Sequence, residues 1–358
     1  MEATIIANSV IDYHRIHSNW CLTPNPPQST QLMRALLCKS HGLPETLVVE
    51  ELPSPVPGPG QLLIDVKAAG VNFPDALIIQ NKYQLKPALP FSPGAELAGI
   101  VTSVGDGVTR FKPGDAVCGS CGYGAYAEEV VVDAARMFAV PHGVSFELAA
   151  SFVLAYGTSY HALIDRGELK SGESVVVLGA SGGVGLAAVE IAKAAGARVI
   201  ACASSDDKLA TCRAHGADEI INYSTEDLKE RIRALTNDRG ADVIYDPVGG
   251  AYAETALRSI AWRGRFLVVG FANGEIPRIP LNLTLLKGCS IVGVYWGAHA
   301  TREPQALAAG IAQLFRWLEE GKLKPEISGR YGLADTPQAL RAMLDRKVVG
   351  KLVVLPEA

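Results

Sequence analysis

The chemistry of this chain is most concentrated in Gly179-Ala180-Ser181-Gly182-Gly183-Val184-Gly185, which follows the aliphatic run Val175-Val176-Val177-Leu178. An unbroken β-branched run reads as a strand buried on both faces. Beyond the glycines, Val184, Ala187, Ala188 and Ile191 recur at helical spacing, with Glu190 and Lys193 on the other side. Strand, tight turn and helix together present free backbone N–H groups and a helix dipole to an anion, and missing side chains let a pyrophosphate approach. Dinucleotide binding follows, although Ala180 replaces the usual first glycine and glycines alone also permit close helix packing. The second strand of the unit, Arg198 to Ala203, ends without the acid that commonly holds a ribose 2′-hydroxyl. Ser204, Ser205 and Lys208 come next, small polar and cationic groups suited to a 2′-phosphate, so the cofactor expected is NADPH. Asp206 and Asp207 argue the other way, unless they answer only the dipole of the helix they open.

Composition narrows the alternatives. A chain of 358 residues with 48% hydrophobic content can form two packed domains. Its net charge of −4 is carried without a basic stripe, which argues against nucleic acid. Seven scattered cysteines make no disulfide framework, no run of apolar residues is long enough to cross a bilayer, and the first residues do not form a signal peptide. A cytoplasmic protein is expected. Cys118-Gly119-Ser120-Cys121 is a lone C-x-x-C where a structural zinc needs four ligands, so no metal is expected. His161 and His215 fall in helical patterns as packing or surface residues, and His299 follows Tyr295-Trp296-Gly297 in an aromatic-flanked stretch near the expected cleft.

The elements that position these residues fall into two regimes. Residues 1–32 have no periodicity and read as an irregular extension. From 33 to 150, short strands at Arg34 to Cys38, Thr46 to Glu51, Gln61 to Ala69, Gly99 to Val104 and Asp115 to Cys118 are punctuated by Pro and Gly, giving a mostly β domain. In the third strand Leu62, Ile64, Val66 and Ala68 share a face opposite Asp65 and Lys67. From 151 to 295 strands alternate with helices: Arg198 to Ala203, Asp206 to His215, Glu219 to Asn222, Glu226 to Leu235, Asp242 to Tyr245, Tyr252 to Ile260, Arg265 to Val269 and Ser290 to Tyr295. That rhythm is an α/β doubly wound parallel sheet. A helix at Pro304 to Glu319 and a strand at Lys351 to Leu355 close the chain, and residues 296–358 are expected to complete the first domain.

Several segments in fixed order then carry a resemblance. Gly70-Val71-Asn72-Phe73-Pro74-Asp75, Pro93-Gly94-Ala95-Glu96-Leu97-Ala98-Gly99, Val104-Gly105-Asp106-Gly107-Val108 with Gly114-Asp115-Ala116-Val117, and Gly179 to Gly185 resemble the medium-chain dehydrogenase/reductase superfamily, in its zinc-independent quinone oxidoreductase branch. The resemblance implies a GroES-like catalytic domain and a Rossmann domain with the active site between them. Where zinc-using alcohol dehydrogenases place cysteine, histidine and cysteine, this chain has Asn72, Ala95 and Leu154, none of which replaces a thiolate or imidazole. Without a Lewis acid the expected acceptor is a quinone or other conjugated carbonyl, whose own conjugation takes up the charge.

The same resemblance sets Lys208 and Tyr223 toward the 2′-phosphate, Thr158 near the nicotinamide, Lys351 among the cofactor-binding residues, and Asn72 and Tyr83 in the catalytic cleft. Thr158 could instead cap the start of a helix, and Tyr223 could be an ordinary strand-end aromatic. Gly270 and Phe271 follow a strand's carboxyl end, where such sheets bind ligands, or form a tight turn. Tyr83 occupies a position associated in enoyl-thioester reductases with proton delivery, which keeps an enoyl-thioester or 2-alkenal reductase in view. A non-catalytic NADPH-binding protein of the crystallin or sensor kind is the other alternative. The resemblance also implies a homodimer paired along Ser290 to Tyr295.

Overall fold

The structure is a computed structural model that describes residues 31–358. The irregular extension expected at the N-terminus lies outside these residues, apart from its last two, and Leu32 already belongs to a strand.

Strands β1 (Leu32–Leu37) and β2 (Val48–Pro53) form an antiparallel ribbon. Then come β3 (Gln61–Val71), β4 (Glu96–Val104), β5 (Ala116–Ser120), β6 (Glu129–Asp133) and β7 (Met137–Ala139), with helix α1 (Phe73–Ile78) between β3 and β4. In β3, Asp65 and Lys67 are half-buried and Leu62, Ile64, Val66 and Ala68 are buried, as the alternation requires. From Ala68 to Val71 every residue is buried, because helix α2 (Phe146–Ala150) packs over that half of the strand. Strands β6 and β7 have no counterpart in the sequence reading.

Helix α3 (Val153–Tyr160) leads through a π-helical turn, His161–Arg166, into β8 (Ser174–Leu178). Helix α4 (Gly183–Ala194), β9 (Arg198–Ala203), α5 (Asp206–Ala214), β10 (Glu219–Asn222), α6 (Leu228–Leu235), β11 (Ala241–Asp246), α7 (Ala251–Leu257), β12 (Ile260–Val268), α8 (Asn282–Lys287) and β13 (Ser290–Gly293) follow. All six strands are parallel, in the order β10-β9-β8-β11-β12-β13. The order reverses between β8 and β11, and the crevice at their carboxyl ends is where such a sheet takes a ligand. Helix α7 stops at Leu257, and β12 begins at Ile260, earlier than its hydrophobic run suggests, with Arg263 in the left-handed region at φ 61°. Strand β13 ends at Gly293 rather than Tyr295, since helix α9 (Trp296–Arg302) starts almost at once.

After α10 (Pro304–Glu319) come β14 (Ile327–Gly332), α11 (Thr336–Leu344) and β15 (Lys351–Leu355). Strand β15 is inserted between β14 and β3, and the seven-stranded sheet runs β14-β15-β3-β4-β5-β7 with β6 also paired to β3. One buried cluster joins the two sheets: Ala68, Ala98 and Cys118 of the first sheet pack through Phe152 and Tyr156 onto Val175, Val177 and Ile191.

Candidate active site

The centre of the site is a carboxylate. Glu96, on the first residue of β4, is fully buried. Its Oε1 accepts the Leu154 backbone N–H at 2.7 Å, and its Oε2 accepts the Asn72 side-chain amide at 3.1 Å. Lys351, at the start of β15, lies 3.4 Å from the same oxygen and donates to Asn72 Oδ1 at 2.5 Å and to the Val71 carbonyl at 3.2 Å. Asn72, Ala95 and Leu154, which the resemblance sets at the zinc-ligand positions of alcohol dehydrogenases, thus gather around Glu96, with a lysine ammonium among them. The Asn72 amide also donates to the Gly70 carbonyl at 3.3 Å, so its hydrogen-bonding groups are engaged within the protein. That makes Asn72 a positioning residue in this conformation. Lys351, expected beside the cofactor, lays its stem against Gly183 but turns its ammonium toward the first sheet; a Cβ at Gly183 would stand 2.8 Å from Lys351 Cδ.

Behind Asn72 lies a second buried acid. Asp75 Oδ2 accepts the Asn72 backbone N–H at 2.8 Å, the capping box of α1, and the Tyr126 hydroxyl at 2.9 Å. Burial pushes the Asp75 carboxyl up to about 7, against the lowering effect of these two hydrogen bonds and of the Lys351 charge. Burial likewise pushes the Cys121 thiol up to about 12, which disfavours its thiolate. Tyr83 follows α1, half-buried, with its ring on the buried cluster of the first sheet beside Leu85 and Tyr123.

On the other side of the cleft the glycine turn forms as its sequence requires. Gly179 has φ 58°, in the left-handed region, and a Cβ at Gly185 would stand 2.3 Å from the Gly179 carbonyl oxygen, so only glycine lets α4 start this close to β8. Gly182 is the N-cap, no side chain caps the helix, and its first turn carries no acid. The Gly182–Gly350 bridge turns the Gly183 N–H toward the Gly350 carbonyl, and the N–H groups of Val184 and Gly185 in the first turn face an anion, with buried Ala180 and Ser181 beneath them. This cradle fits a pyrophosphate. Ser159 fixes α3 to it, donating to the Val184 carbonyl at 2.8 Å and pairing with the Tyr245 hydroxyl at 2.9 Å. Thr158 is the neighbour of that anchor; it sits in the body of α3, not at its start, and the capping alternative falls away.

At the end of β9, Lys208 Nζ reaches Ser204 Oγ at 3.3 Å and the Arg346 carbonyl at 2.9 Å. Ser205 is the N-cap of α5 without a side-chain capping bond. Asp206 accepts the Asn222 side-chain amide at 2.8 Å, so that acid is engaged with the next strand. Tyr223 packs on Tyr252 with ring centroids 4.4 Å apart, and burial pushes its hydroxyl up to about 12 against the opposing charge of Arg346. Arg346, in a left-handed turn at φ 57°, was not singled out by sequence. Lys208 meets its backbone carbonyl while its guanidinium donates to the Asn273 carbonyl at 3.2 Å, so two cationic side chains stand on adjoining segments near Tyr223, a set of groups that fits a 2′-phosphate. Phe271 is exposed and packs its edge toward Gly249, on the carboxyl side of β11, and the Gly270 N–H meets the Asp246 carbonyl at 3.3 Å. Both features of that segment hold together: it is a turn, and it borders the crevice.

Three histidines lie elsewhere. His215 is paired with buried Glu190 at 2.6 Å, which raises its pKa, and His161 stacks on His299. Neither His161 nor His299 is among the groups gathered around Glu96.

Comparison with known proteins agrees with this geometry. The alcohol dehydrogenase GroES-like domain matches residues 58–142, and the zinc-binding dehydrogenase family matches residues 183–312. A quinone oxidoreductase-like protein 2 homologue of Nematostella vectensis is 41% identical over 92% of this chain and 90% of its own. A quinone oxidoreductase of Pseudomonas aeruginosa is 36% identical over 88% of this chain and 98% of its own. The Escherichia coli quinone oxidoreductase crystallised with NADPH superposes with a TM-score of 0.84 at 29% identity, covering 90% of this chain and 100% of that one.

The Asp75 environment sets a pH dependence. Its folded-state value lies above the ordinary carboxylate value, so the fold favours the protonated acid, and stability from this group is full below about pH 4 and is lost as pH rises toward about 7. Asp75→Asn keeps an acceptor for Asn72 and Tyr126 without a charge. The variant is expected to gain on the parent between pH 5 and pH 8, with a ceiling on the order of 3 kcal/mol over that interval. Chemical denaturation at the two pH values measures it; a stability difference that does not change with pH contradicts the assignment.

Proposed function

The chain belongs to the quinone oxidoreductase branch of the medium-chain dehydrogenase/reductase superfamily, and on that premise we propose that it is an NADPH-dependent oxidoreductase that reduces a quinone or other conjugated carbonyl without a catalytic metal. The observation that carries this reading is the ammonium of Lys351 held between Asn72 and Glu96, amid the positions where zinc ligands would stand. A cation in that place is fixed by three hydrogen bonds, and an amide, a methyl and an isobutyl group offer zinc no thiolate or imidazole. Substrate activation is left to the acceptor's own conjugation. NADPH would supply the hydride. The turn from Gly179 to Gly183 with the N–H groups of Val184 and Gly185 would hold its pyrophosphate, Lys208, Arg346, Ser204 and Ser205 its 2′-phosphate, and Thr158 with Gly270 would border the nicotinamide end of the crevice. The first sheet with residues 296–358 forms the acceptor side, and residues 151–295 the cofactor side.

Pairing of two copies along β13 would cover Ile291 and the neighbouring Leu285 and Leu286, all exposed in the single chain. Light scattering at the mass of one chain would exclude that homodimer. A cytoplasmic setting is part of the same proposal, and the six cysteines among the described residues, all free thiols, suit a reducing compartment.

The direct test is NADPH oxidation with 1,4-benzoquinone, 9,10-phenanthrenequinone and simple enones, before and after exhaustive chelation. Turnover unchanged by chelation is expected. Tight NADPH binding with no turnover of any acceptor would favour the non-catalytic alternative, and loss of turnover with an active-site zinc would overturn metal independence.

For cofactor choice, Lys208→Ala is expected to raise the KM for NADPH roughly 10-fold to 100-fold while barely moving that for NADH, since only the former loses a charged phosphate partner. Equal effects on the two cofactors would remove the assignment.

A second reading rests on Tyr83, half-buried on the acceptor side near α1. Reducing an enone or enoyl thioester places a proton on carbon, which needs a donor, whereas a quinone's oxygens take protons from water. Tyr83→Phe keeps the ring and removes the proton. With an enone, kcat should fall by a factor on the order of 10² to 10⁴ at nearly constant KM; with a quinone it should hold. Equal turnover of an enone by the variant leaves Tyr83 as a wall of the pocket.

A further inference from the structure

Away from the cleft, on the side of α3 that faces α10, two imidazoles and two carboxylates are brought together from segments far apart in sequence. His161 and Asp165 both come from the π-helical turn that extends α3, and His299 comes from α9. Both histidines are 6% exposed, and their rings are stacked at 3.8 Å with 15° between the planes. His161 Nδ1 lies 2.9 Å from Asp165 Oδ2, and His299 Nε2 lies 3.9 Å from the same oxygen. One ligand atom from each of the three residues falls within 4.8 Å of the others. A small cleft between α3 and α10, lined by Gly157, Tyr160, Leu307 and Gly310, opens on them.

From this geometry we propose that His161, Asp165 and His299 form a zinc-class divalent metal site, separate from the catalytic cleft. Two imidazole nitrogens and a carboxylate oxygen are the donors of a three-residue zinc site, with water as the fourth ligand. Bonds of about 2.0–2.1 Å in a tetrahedron put neighbouring ligands about 3.3 Å apart, and the observed 2.9 and 3.9 Å lie on either side of that spacing. Asp165 is on the exposed side, which provides an entry path for the ion and room for the water.

An independent feature supports the assignment. Glu303 Oε2 sits 3.2 Å from His299 Nδ1. A carboxylate there accepts the Nδ1 proton and leaves the lone pair on Nε2, the nitrogen that faces Asp165. Metal-ligating histidines are oriented in this way by a carboxylate behind them. The π-helical turn is the other peculiarity: such turns are rare and recur at functional sites, and this one carries two of the three donors. Binding through His161 Nδ1 takes the neutral tautomer with its proton on Nε2, so the Nδ1 lone pair that the ion needs is exposed by moving the proton to the other ring nitrogen. The ion would tie α9, which follows edge strand β13, to the helix that carries Thr158. This inference does not depend on the proposed reaction, because none of its residues belongs to the cluster around Glu96.

The test uses the full chain, freed of metal with chelator and titrated with zinc by calorimetry and with cobalt(II) by visible absorption. One equivalent of zinc should bind in the micromolar range or tighter and raise Tm, and cobalt should give a spectrum without a thiolate charge-transfer band. His161→Gln and His299→Gln should each abolish the stoichiometric binding. Glu303→Gln, at an exposed side chain that the fold does not need, should weaken it roughly 10-fold to 100-fold. No stoichiometric uptake by the parent chain, equal uptake by the folded histidine variants, unchanged affinity in Glu303→Gln, or a thiolate band would each overturn the proposal.

Discussion

The ionic group that the rest of the molecule must accommodate is the Glu96 carboxylate, removed entirely from water. A buried charge without partners costs several kcal/mol, on the order of 3–5 when one partner of an existing pair is removed. Here the partners come from the loop after β3, the start of α3 and the start of β15. Those three segments cannot drift apart without stranding the carboxylate, so the catalytic cleft is held by an electrostatic demand rather than by the cleft's own contacts. Close packing enforces the same point: a Cβ at Gly70 would meet the Ala150 carbonyl at 2.2 Å and Glu96 Oε2 at 2.7 Å.

A second buried acid does comparable work on the cofactor side. Glu190, on α4, receives the Tyr156 hydroxyl at 2.7 Å, the His215 ring at 2.6 Å and the Lys324 backbone N–H at 3.0 Å. It joins α3, α4, the end of α5 and the segment before β14. With Ser159 bonded to Val184, this keeps α3 fixed against the phosphate-binding turn, and Leu154 at the other end of α3 touches Glu96. One eight-residue helix therefore registers the two halves of the site against each other.

What could be read from the sequence was what is local. Strands β9, β10 and β15 and helix α10 occupy the residues their hydrophobic patterns mark, because each pattern is long or sharply bounded by glycine and polar turns. The phosphate turn was legible because strand, glycines and helix are contiguous. Strand β7 was not, since three residues carry no period. The Lys351 contact with Asn72 spans 279 residues, and nothing near either residue announces the other. Asn72 stood out only through its resemblance to a zinc-ligand position, and Lys351 was placed among the cofactor-binding residues with no sign that its ammonium would bond Val71, Asn72 and Glu96. Arg346 escaped notice for the same reason: its partners, Lys208 and Tyr223, are brought to it by the return of the chain. His161 read as a helical packing residue and His299 as part of an aromatic-flanked loop near the cleft, and their shared carboxylate becomes visible only when helix α9, which carries His299, lies beside the turn that carries His161.

The threading of β15 has a consequence for how the protein is made. Strand β3 is flanked by β4 on one side and by β15 on the other, with β14 beyond it. During synthesis residues 351–355 emerge only after all six strands of the parallel sheet, which lie between Ser174 and Gly293. The parallel sheet can close first, as a unit, while Ala69, Gly70 and Val71 wait with an open edge. The cleft is consequently the last part of the protein to exist, and a ribosome that stalls after β13 leaves a chain whose nucleotide-binding strands are complete and whose catalytic sheet still exposes an unpaired strand edge to any neighbouring nascent chain.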